Sequence, residues 1–511
     1  MPITTVTSIL NTAKTYQYVD NGEPKRGGMK DVYFSPDKSY VVAFYRNKLD
    51  YNQKDRLKRI VTSYKDGIFN GAGGNYWGNV YCWPYDIVER NGQTGIIVPA
   101  YDKRFFFKKG YANNDLLKGE EKDGKWFASA KFRVAQSKSK IDDSELGNWL
   151  DYFQVCVNIA RGVKRLHAAG LAHSDLSYKN VLIDPTSRCA ANIIDIDGLV
   201  VPGLFPPDVI GTADFIAPEV LATKQLKLGD PNKKLPNRLT DLHALAVLIY
   251  MYLLYRHPLR GGNYFGPMDS DKEEDLLMGT KALFVEHPTD ASNRNFKREY
   301  DDNLTKFYPW TDLTKTPYTI TGPYLKELFD RAFIKGLHNP MERPTAQEWE
   351  QALIKTNDLK LQCSNPACQQ KWFIYTNTKD TRCPFCGTLY NRSIPVLDFY
   401  YQFKPNVWKP ENQRLVVYNN TTLHQWHSNK NIIRNEQLPD SQKIRMGYFS
   451  YSNDQWVLVN EKLPSMKDLT NDRDIPAGSM AELTNGKRIL LSKEEGGRVV
   501  IVSMANVHHQ K

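Results

Sequence analysis

His173-Ser174-Asp175-Leu176-Ser177-Tyr178-Lys179-Asn180 places a carboxylate five residues ahead of a carboxamide, and fifteen residues beyond Asn180 stands Asp195, within Ile193-Ile194-Asp195-Ile196-Asp197-Gly198. Alone, an Asp-x4-Asn spacing recurs in surface loops, so its meaning rests on what surrounds it. Upstream, runs of strand character occupy 32–34, 40–45, 80–88 and 95–100, with a polar, helix-compatible stretch at 52–64. From Gly147 the period changes. Trp149, Leu150, Phe153, Val157, Ala160, Val163 and Leu166 recur every three to four residues until Gly170 ends the helix. A second helix, Asp241 to Tyr255, is apolar nearly all round and should run through the centre of its lobe. Helical patterns resume near Pro323 and from Thr345 to Lys355. The frame is a small sheet with one helix, then a larger helical lobe.

Three more segments give the loop its context: Gly211-Thr212-Ala213-Asp214-Phe215-Ile216-Ala217-Pro218-Glu219, Asp241-Leu242-His243-Ala244-Leu245-Ala246, and Arg343-Pro344-Thr345. Together with 173–180 and 193–198, in this order, they resemble the protein kinase superfamily over roughly residues 21–357. The resemblance implies an α+β, bilobal protein kinase fold, with the N-lobe in residues 1–100 and the C-lobe in 101–357. It implies ATP and Mg²⁺ as cofactors and a protein as substrate. Asp175 would orient the acceptor hydroxyl and take its proton, while Asn180 and Asp195 would hold the Mg²⁺ ions bridging the phosphates. Asp241 would steady the catalytic loop. Glu219 and Arg343 would form a structural pair. Small-molecule phosphotransferases share the His-x-Asp loop but lack an Ala-Pro-Glu segment, which moves the acceptor towards a protein.

The chain departs from the kinase pattern in several places. Tyr40-Val41-Val42-Ala43-Phe44-Tyr45 stands where Val-Ala-Ile-Lys is expected, and neither Ala43 nor Phe44 can supply an ammonium. The preceding strand reads Lys25-Arg26-Gly27-Gly28-Met29-Lys30-Asp31-Val32-Tyr33, with Lys30 at the third glycine position of the Gly-rich loop. This is similar to the with-no-lysine kinases, in which a lysine reaches the phosphates from the neighbouring strand, so Gly27, Gly28 and Lys30 are the nucleotide-binding candidates there. No Glu occurs between Glu23 and Glu89 to act as the helix acid, and Asp55 is the best-placed substitute. Asp195-Ile196-Asp197 replaces Asp-Phe-Gly. Asp195 is favoured as the metal ligand, with Asp197 a ligand in a shifted register or a supporting carboxylate.

Ser174 replaces the Arg that receives an activating phosphate, and the stretch from Asp195 to Gly211 contains no Ser, Thr or Tyr. Phosphorylation of that loop should therefore not control the enzyme. Lys179 sits where tyrosine kinases carry an Arg and is a catalytic candidate; Thr212 leans towards a serine/threonine acceptor. A pseudokinase scaffold, binding nucleotide and partners without transfer, is the rival reading that the missing lysine and helix Glu suggest.

Cys363-x4-Cys368 and Cys383-Pro384-Phe385-Cys386-Gly387 resemble a zinc ribbon over 358–392, with four thiolates for a structural Zn²⁺. Residues 393–511 read as an all-β, sandwich-like domain in which 456–502 resembles a degenerate forkhead-associated domain, without that family's phosphothreonine-gripping residues. This domain order resembles bacterial kinases of tellurite-resistance-type stress systems. Implied partners are a von Willebrand A protein and a metal-dependent protein phosphatase.

Composition bounds the rest. The chain has 511 residues, 41% hydrophobic and 24% charged, which predicts about three folded domains rather than a disordered chain. The longest apolar run, 244–255, falls short of the roughly 20 residues of a membrane span. The N-terminus shows no secretory signal, and seven sparse cysteines suit a reducing cytoplasm. Net charge is +11, yet no basic face interleaved with aromatics argues for nucleic acid. Eleven of the basic residues, against five acids, fall between Tyr101 and Lys140 and read as a solvated insert.

Overall fold

The structure is a computed structural model describing all residues except 1, 71–73, 130–139, 187–188, 208–210, 263–269, 295–315, 377–378, 405–406, 436–437 and 507–511, and except the side chains of 270–273. The chain divides into two compact units. The first comprises 1–147, 151–311 and 328–350; the second, 148–150, 312–327 and 351–511.

In the first unit a hairpin, β1 (Ile3–Thr7) and β2 (Thr15–Val19), precedes β3 (Lys25–Arg26), β4 (Lys30–Phe34), β5 (Tyr40–Tyr45), β6 (Asp86–Arg90) and β7 (Gln93–Pro99). The last five form an antiparallel sheet in the order β3-β4-β5-β7-β6. Alternation along β5 explains why it sits in the middle. Val42 and Phe44 pack on one face with Tyr16, Tyr18 and Tyr33, while Ala43 and Tyr45 pack on the other with Leu57 and Val61. Gly95 on β7 passes so close to the Phe44 ring that a Cβ there would lie 2.7 Å from it.

Helix α1 (Tyr51–Arg59) supplies Leu57 to that second face and starts at a capping box between Asp50 and Gln53. A wider-wound turn, Ile60–Tyr64, and a further helix, Lys65–Phe69, continue it. The run 80–88 is not one strand. It holds the end of the helix Gly74–Val80 and an irregular stretch before β6 starts at Asp86, and Pro84 within it has no N–H to give a ladder.

Helix α2 (Trp149–Ala168) and helix α3 (Arg238–Leu254) form the centre of the helical part. Every residue of α3 from Thr240 to Leu254 is buried, as its all-round apolar pattern predicts. Between them, β8 (Val181–Asp184) and β9 (Ala190–Ile193) pair as a hairpin.

The basic segment after Tyr101 is not a solvated insert where it is described. Phe105, Phe107, Leu117 and Phe127 are buried, and Lys122 is buried with its Nζ 2.8 Å from Glu145 and 3.4 Å from Asp184. Charge count alone missed the aromatic anchors spaced among the lysines. Residues 130–139, which carry Lys131, Arg133 and Lys138, lie outside the described residues.

The second unit carries a small hairpin of β10 (Lys360–Gln362) and β11 (Trp372–Ile374). The remaining strands are β12 (Ile394–Lys404), β13 (Val407–Val416), β14 (Thr422–His424), β15 (Arg445–Ser452), β16 (Gln455–Asn460), β17 (Lys467–Asp468), β18 (Arg473–Asp474), β19 (Met480–Glu482), β20 (Arg488–Leu490) and β21 (Arg498–Ala505). They form a six-stranded sheet, β13-β12-β21-β20-β17-β18, and a four-stranded sheet, β14-β15-β16-β19. One apolar core takes Leu397, Phe399, Ile489 and Val500 from the first sheet and Leu423, Phe449, Leu458 and Ala481 from the second. Two sheets sharing one core make a sandwich. No helix among the described residues is long and apolar enough to cross a membrane.

Candidate active site

The loop 173–180 is held from below by α3. Asp241 accepts from the backbone N–H of His173 at 2.7 Å and of Ser174 at 3.1 Å, and its third contact is His167 Nε2 at 3.0 Å. These bonds hold Ser174 at a positive φ of 67°, a conformation that non-glycine residues rarely adopt. His173 Nε2 lies 2.9 Å from the carbonyl of Ile194, joining this loop to 193–198.

Asp175 is half-buried. Thr212 donates to its Oδ1 at 2.8 Å, and Asn180 Nδ2 donates to its Oδ2 at 3.0 Å and to its carbonyl at 2.7 Å. Asn180 thereby spends its amino group on Asp175, which leaves Oδ1 as the atom it can offer a cation. Lys179 is exposed, and its ammonium makes no hydrogen bond or ion pair among the described residues.

Lys30 opens β4, directly opposite Tyr45 of β5, so both side chains share one face of the sheet. Its Nζ lies 3.0 Å from Asp195 Oδ1 and 2.8 and 2.6 Å from the two oxygens of Asp197. The Tyr45 hydroxyl donates to the same Asp197 carboxylate. Burial alone would lower the Lys30 pKa, but the two carboxylates outweigh it and hold the ammonium protonated above the usual lysine range. Burial would likewise raise Asp197, yet Lys30 and Tyr45 hold it below the usual carboxylate range. Tyr45, buried against this carboxylate, is pushed well up and keeps its proton.

The two aspartates differ in what is left over. Asp197 is 8% exposed and saturated by Lys30 and Tyr45, whereas Asp195 is 52% exposed and gives one oxygen to Lys30. Asp195 also stands at φ 61°. Its carboxylate and Asn180 Oδ1 are hard oxygen donors of the kind Mg²⁺ takes.

The glycine candidates occupy the β3–β4 turn. Gly27 N–H donates to the Lys30 carbonyl at 2.9 Å, a Cβ on Gly28 would meet open space, and Arg46 donates to the carbonyls of both glycines. Asp55 pairs with Arg59 at 3.1 Å and is not at Lys30; the acids there are Asp195 and Asp197. Tyr45 and Arg46 carry no signal of their own in the sequence, because neither is the ammonium expected from that strand. The two-residue alternation that put Ala43 on the site-facing side also put Tyr45 there.

Behind this cluster, Arg343 donates Nη1 to Glu219 Oε1 at 2.8 Å and Nη2 to Oε2 at 2.7 Å, a bidentate pair that anchors the short helix Pro218–Leu221.

In the second unit Cys363, Cys368, Cys383 and Cys386 bring their sulfurs within 4.8 Å of one another, and none is in a disulfide. The Cys363–Cys386 and Cys368–Cys383 sulfurs lie 3.5 and 3.9 Å apart. Four Zn–S bonds of about 2.3 Å in a tetrahedron require S–S separations of about 3.8 Å, so the donor set fits zinc. Burial pushes the Cys363 thiol up to about 11, whereas at Cys386 burial is outweighed by hydrogen bonding to Thr388, Cys363 and Cys383 together, which brings it down to about 6. Four thiolates leave no open position, so a metal here folds the module rather than reacting.

Residues 130–352 match the model of the protein kinase domain. The chain is similar to serine/threonine-protein kinase PSK2 of Saccharomyces cerevisiae, 33% identical over 148 residues, covering 29% of this chain and 12% of the relative. It is 33% identical over 101 residues to PSK1 of the same yeast, covering 20% and 7%. To the dual serine/threonine and tyrosine protein kinase of Apis mellifera it is 32% identical over 75 residues, covering 15% and 8%. The chain thus spans about a tenth of the length of these curated relatives. Among solved structures, the Toxoplasma gondii specific rhoptry antigen kinase domain is 14% identical, covering 69% of this chain and 86% of that one, with a TM-score of 0.38.

Proposed function

Starting from a protein kinase domain over residues 130–352, we propose that this protein is an ATP- and Mg²⁺-dependent protein serine/threonine kinase. Phosphoryl transfer asks a protein mainly to position the acceptor and to neutralise phosphate oxygens. Asp175, fixed by Thr212 and Asn180, orients the acceptor hydroxyl and takes its proton. Asn180 and Asp195 hold Mg²⁺, which draws charge from the phosphates when bound. Lys30 supplies the ammonium that β5 lacks, next to the Gly27-Gly28 turn. The observation carrying this reading is the Lys30 ammonium within 3.0 Å of Asp195, reached from the strand beside the one where it would ordinarily stand.

The serine/threonine acceptor is supported by Thr212 beside Asp175 and by the similarity to the two yeast serine/threonine-protein kinases. With Ser174 in place of an Arg and no hydroxyl between Asp195 and Gly211, the kinase is not switched by phosphorylation of that loop. The four-cysteine module, with zinc, and the β-sandwich recruit partners. The forkhead-associated-like reading rests on the run 456–502 and the cytoplasmic setting on the sparse cysteines, while the bacterial, tellurite-resistance-type setting, with a von Willebrand A protein and a phosphatase as partners, rests on the order of domains.

The test is phosphate transfer from ATP by the full chain with Mg²⁺ to a generic protein acceptor, with Asp175→Ala as control. A loss of about 10²–10⁴-fold in that variant is expected. A wild type that binds ATP and transfers nothing would establish the scaffold reading instead.

A further inference from the structure

We propose that Asp197 is the positioning residue for Lys30, taking the place of a helix acid, and that Asp195 alone of this pair serves the metal. The inference rests on the kinase reading above and names how its ammonium is held.

Lys30 needs a counterion because its side chain is 16% exposed, and an isolated ammonium there would carry a large desolvation cost. The helix packed on its sheet face does not provide one. Between Arg46 and Glu89 the chain has four acids. Asp50 caps α1, Asp55 pairs with Arg59, Asp66 is exposed, and Asp86 holds Ser8 and Tyr16 at 2.7 Å each. What α1 buries is a cation: Arg56, which donates to the carbonyl of Pro206 at 2.9 Å. The helix is therefore tied to the segment leading to Gly211, not to the lysine.

Asp197 has the attributes the helix lacks. It is buried, grips Lys30 with both oxygens, and is fixed by Tyr45. Tyr45 stands directly opposite Lys30, and its hydroxyl reaches the same carboxylate. One departure thus explains another. The acid two residues beyond Asp195 is met by a lysine arriving from β4, and β5, which supplies no ammonium, supplies a tyrosine that braces the acid. Because Asp195 keeps a half-exposed carboxylate, a metal can engage it while Asp197 retains Lys30.

The experiment measures binding of a fluorescent ATP analogue to the full chain across a Mg²⁺ titration, together with kcat and KM for ATP. Asp197→Asn should leave the Mg²⁺ concentration for half-maximal binding within about threefold of wild type and lower kcat by about 10²-fold or more. Asp195→Asn should raise the Mg²⁺ requirement at least about tenfold. Asp197→Glu should recover part of the lost kcat, and Lys30→Met combined with Asp197→Asn should be no slower than the slower single variant, because one device is removed twice. Should Asp197→Asn not fold, Tyr45→Phe gives the same reading more mildly: a several-fold loss of kcat at unchanged Mg²⁺ requirement. A raised Mg²⁺ requirement in Asp197→Asn or Tyr45→Phe, or losses that multiply in the double variant, would overturn the proposal. A wild type with no turnover would refute the enzyme reading, and the Mg²⁺ titration would still decide between the two carboxylates.

Discussion

Arg343→Ala should destabilise the first unit more than any substitution at an exposed ion pair, and the size of the effect follows from its contacts. The guanidinium is 1% exposed and makes five hydrogen bonds: two to Glu219, and one each to the carbonyls of Leu239 at 3.0 Å, Gly336 at 2.9 Å and Leu337 at 3.2 Å. Removing one partner of a buried pair costs about 3–5 kcal/mol, largely by stranding the other charge. Glu219 is 23% exposed, so water relieves part of that and favours the lower end. The stranded carbonyls add about 1 kcal/mol, giving about 4 kcal/mol in all. For a unit of this size that is a fall in Tm of roughly 5–7 °C. Because the chain has two units, the assay is calorimetry, with the kinase transition recognised by its upward shift with ATP and Mg²⁺. Arg343→Lys, which keeps the charge but not the fork, should recover about half. Arg104→Ala, whose partner Asp102 is half exposed, should cost under about 1 kcal/mol. A cost below about 1 kcal/mol for Arg343→Ala would refute the view that this pair holds the segment ending at Glu219.

Lys30→Met keeps the aliphatic stem and removes the charge, so kcat should fall by about 10²–10³-fold, the scale expected for deleting a preorganised cation, with the far-ultraviolet spectrum unchanged. Near-normal turnover there, with Asp175→Ala inactive, would mean another cation serves the phosphates. The protein should contain one zinc per chain by elemental analysis, and Cys383→Ser or chelation should unfold the four-cysteine module while nucleotide binding persists. His257 is buried, and burial, only partly offset by Asp214, holds its pKa down to about 4, against about 6.5 in an unfolded chain. The unfolded state then takes the proton first, so this stabilisation is complete above about pH 6.5 and is lost as pH falls towards 4. Between pH 7 and 5 the first unit should lose about 2 kcal/mol in urea unfolding, and His257→Gln should flatten that slope. An equal slope in the variant would assign the loss to other groups.

Some of this was legible in the linear chain. The Asp175–Asn180 contact, the grip of Asp241 on 173–174, the Glu219–Arg343 pair and the four-cysteine cluster all join residue types whose chemistry narrows their partners: a carboxylate for a guanidinium, thiols for thiols. The apolar run of α3 likewise announced its own burial, because a helix without a polar side has no face to give to water. Other features appeared only in three dimensions. That Tyr45 faces Lys30 depends on the register of β4 against β5, and a slip of one residue would turn either side chain to the opposite face. That Lys30 is clasped by Asp197, 167 positions away, rather than by Asp55 depends on how the sheet meets the loop after β9. Composition also misplaced the segment after Tyr101, since its net charge says nothing of Phe105, Phe107 and Phe127, which fold it inward. Local spacing determines which groups a loop or helix can present, but the partner of a buried charge is whichever opposite charge the tertiary packing brings near enough to offset its desolvation.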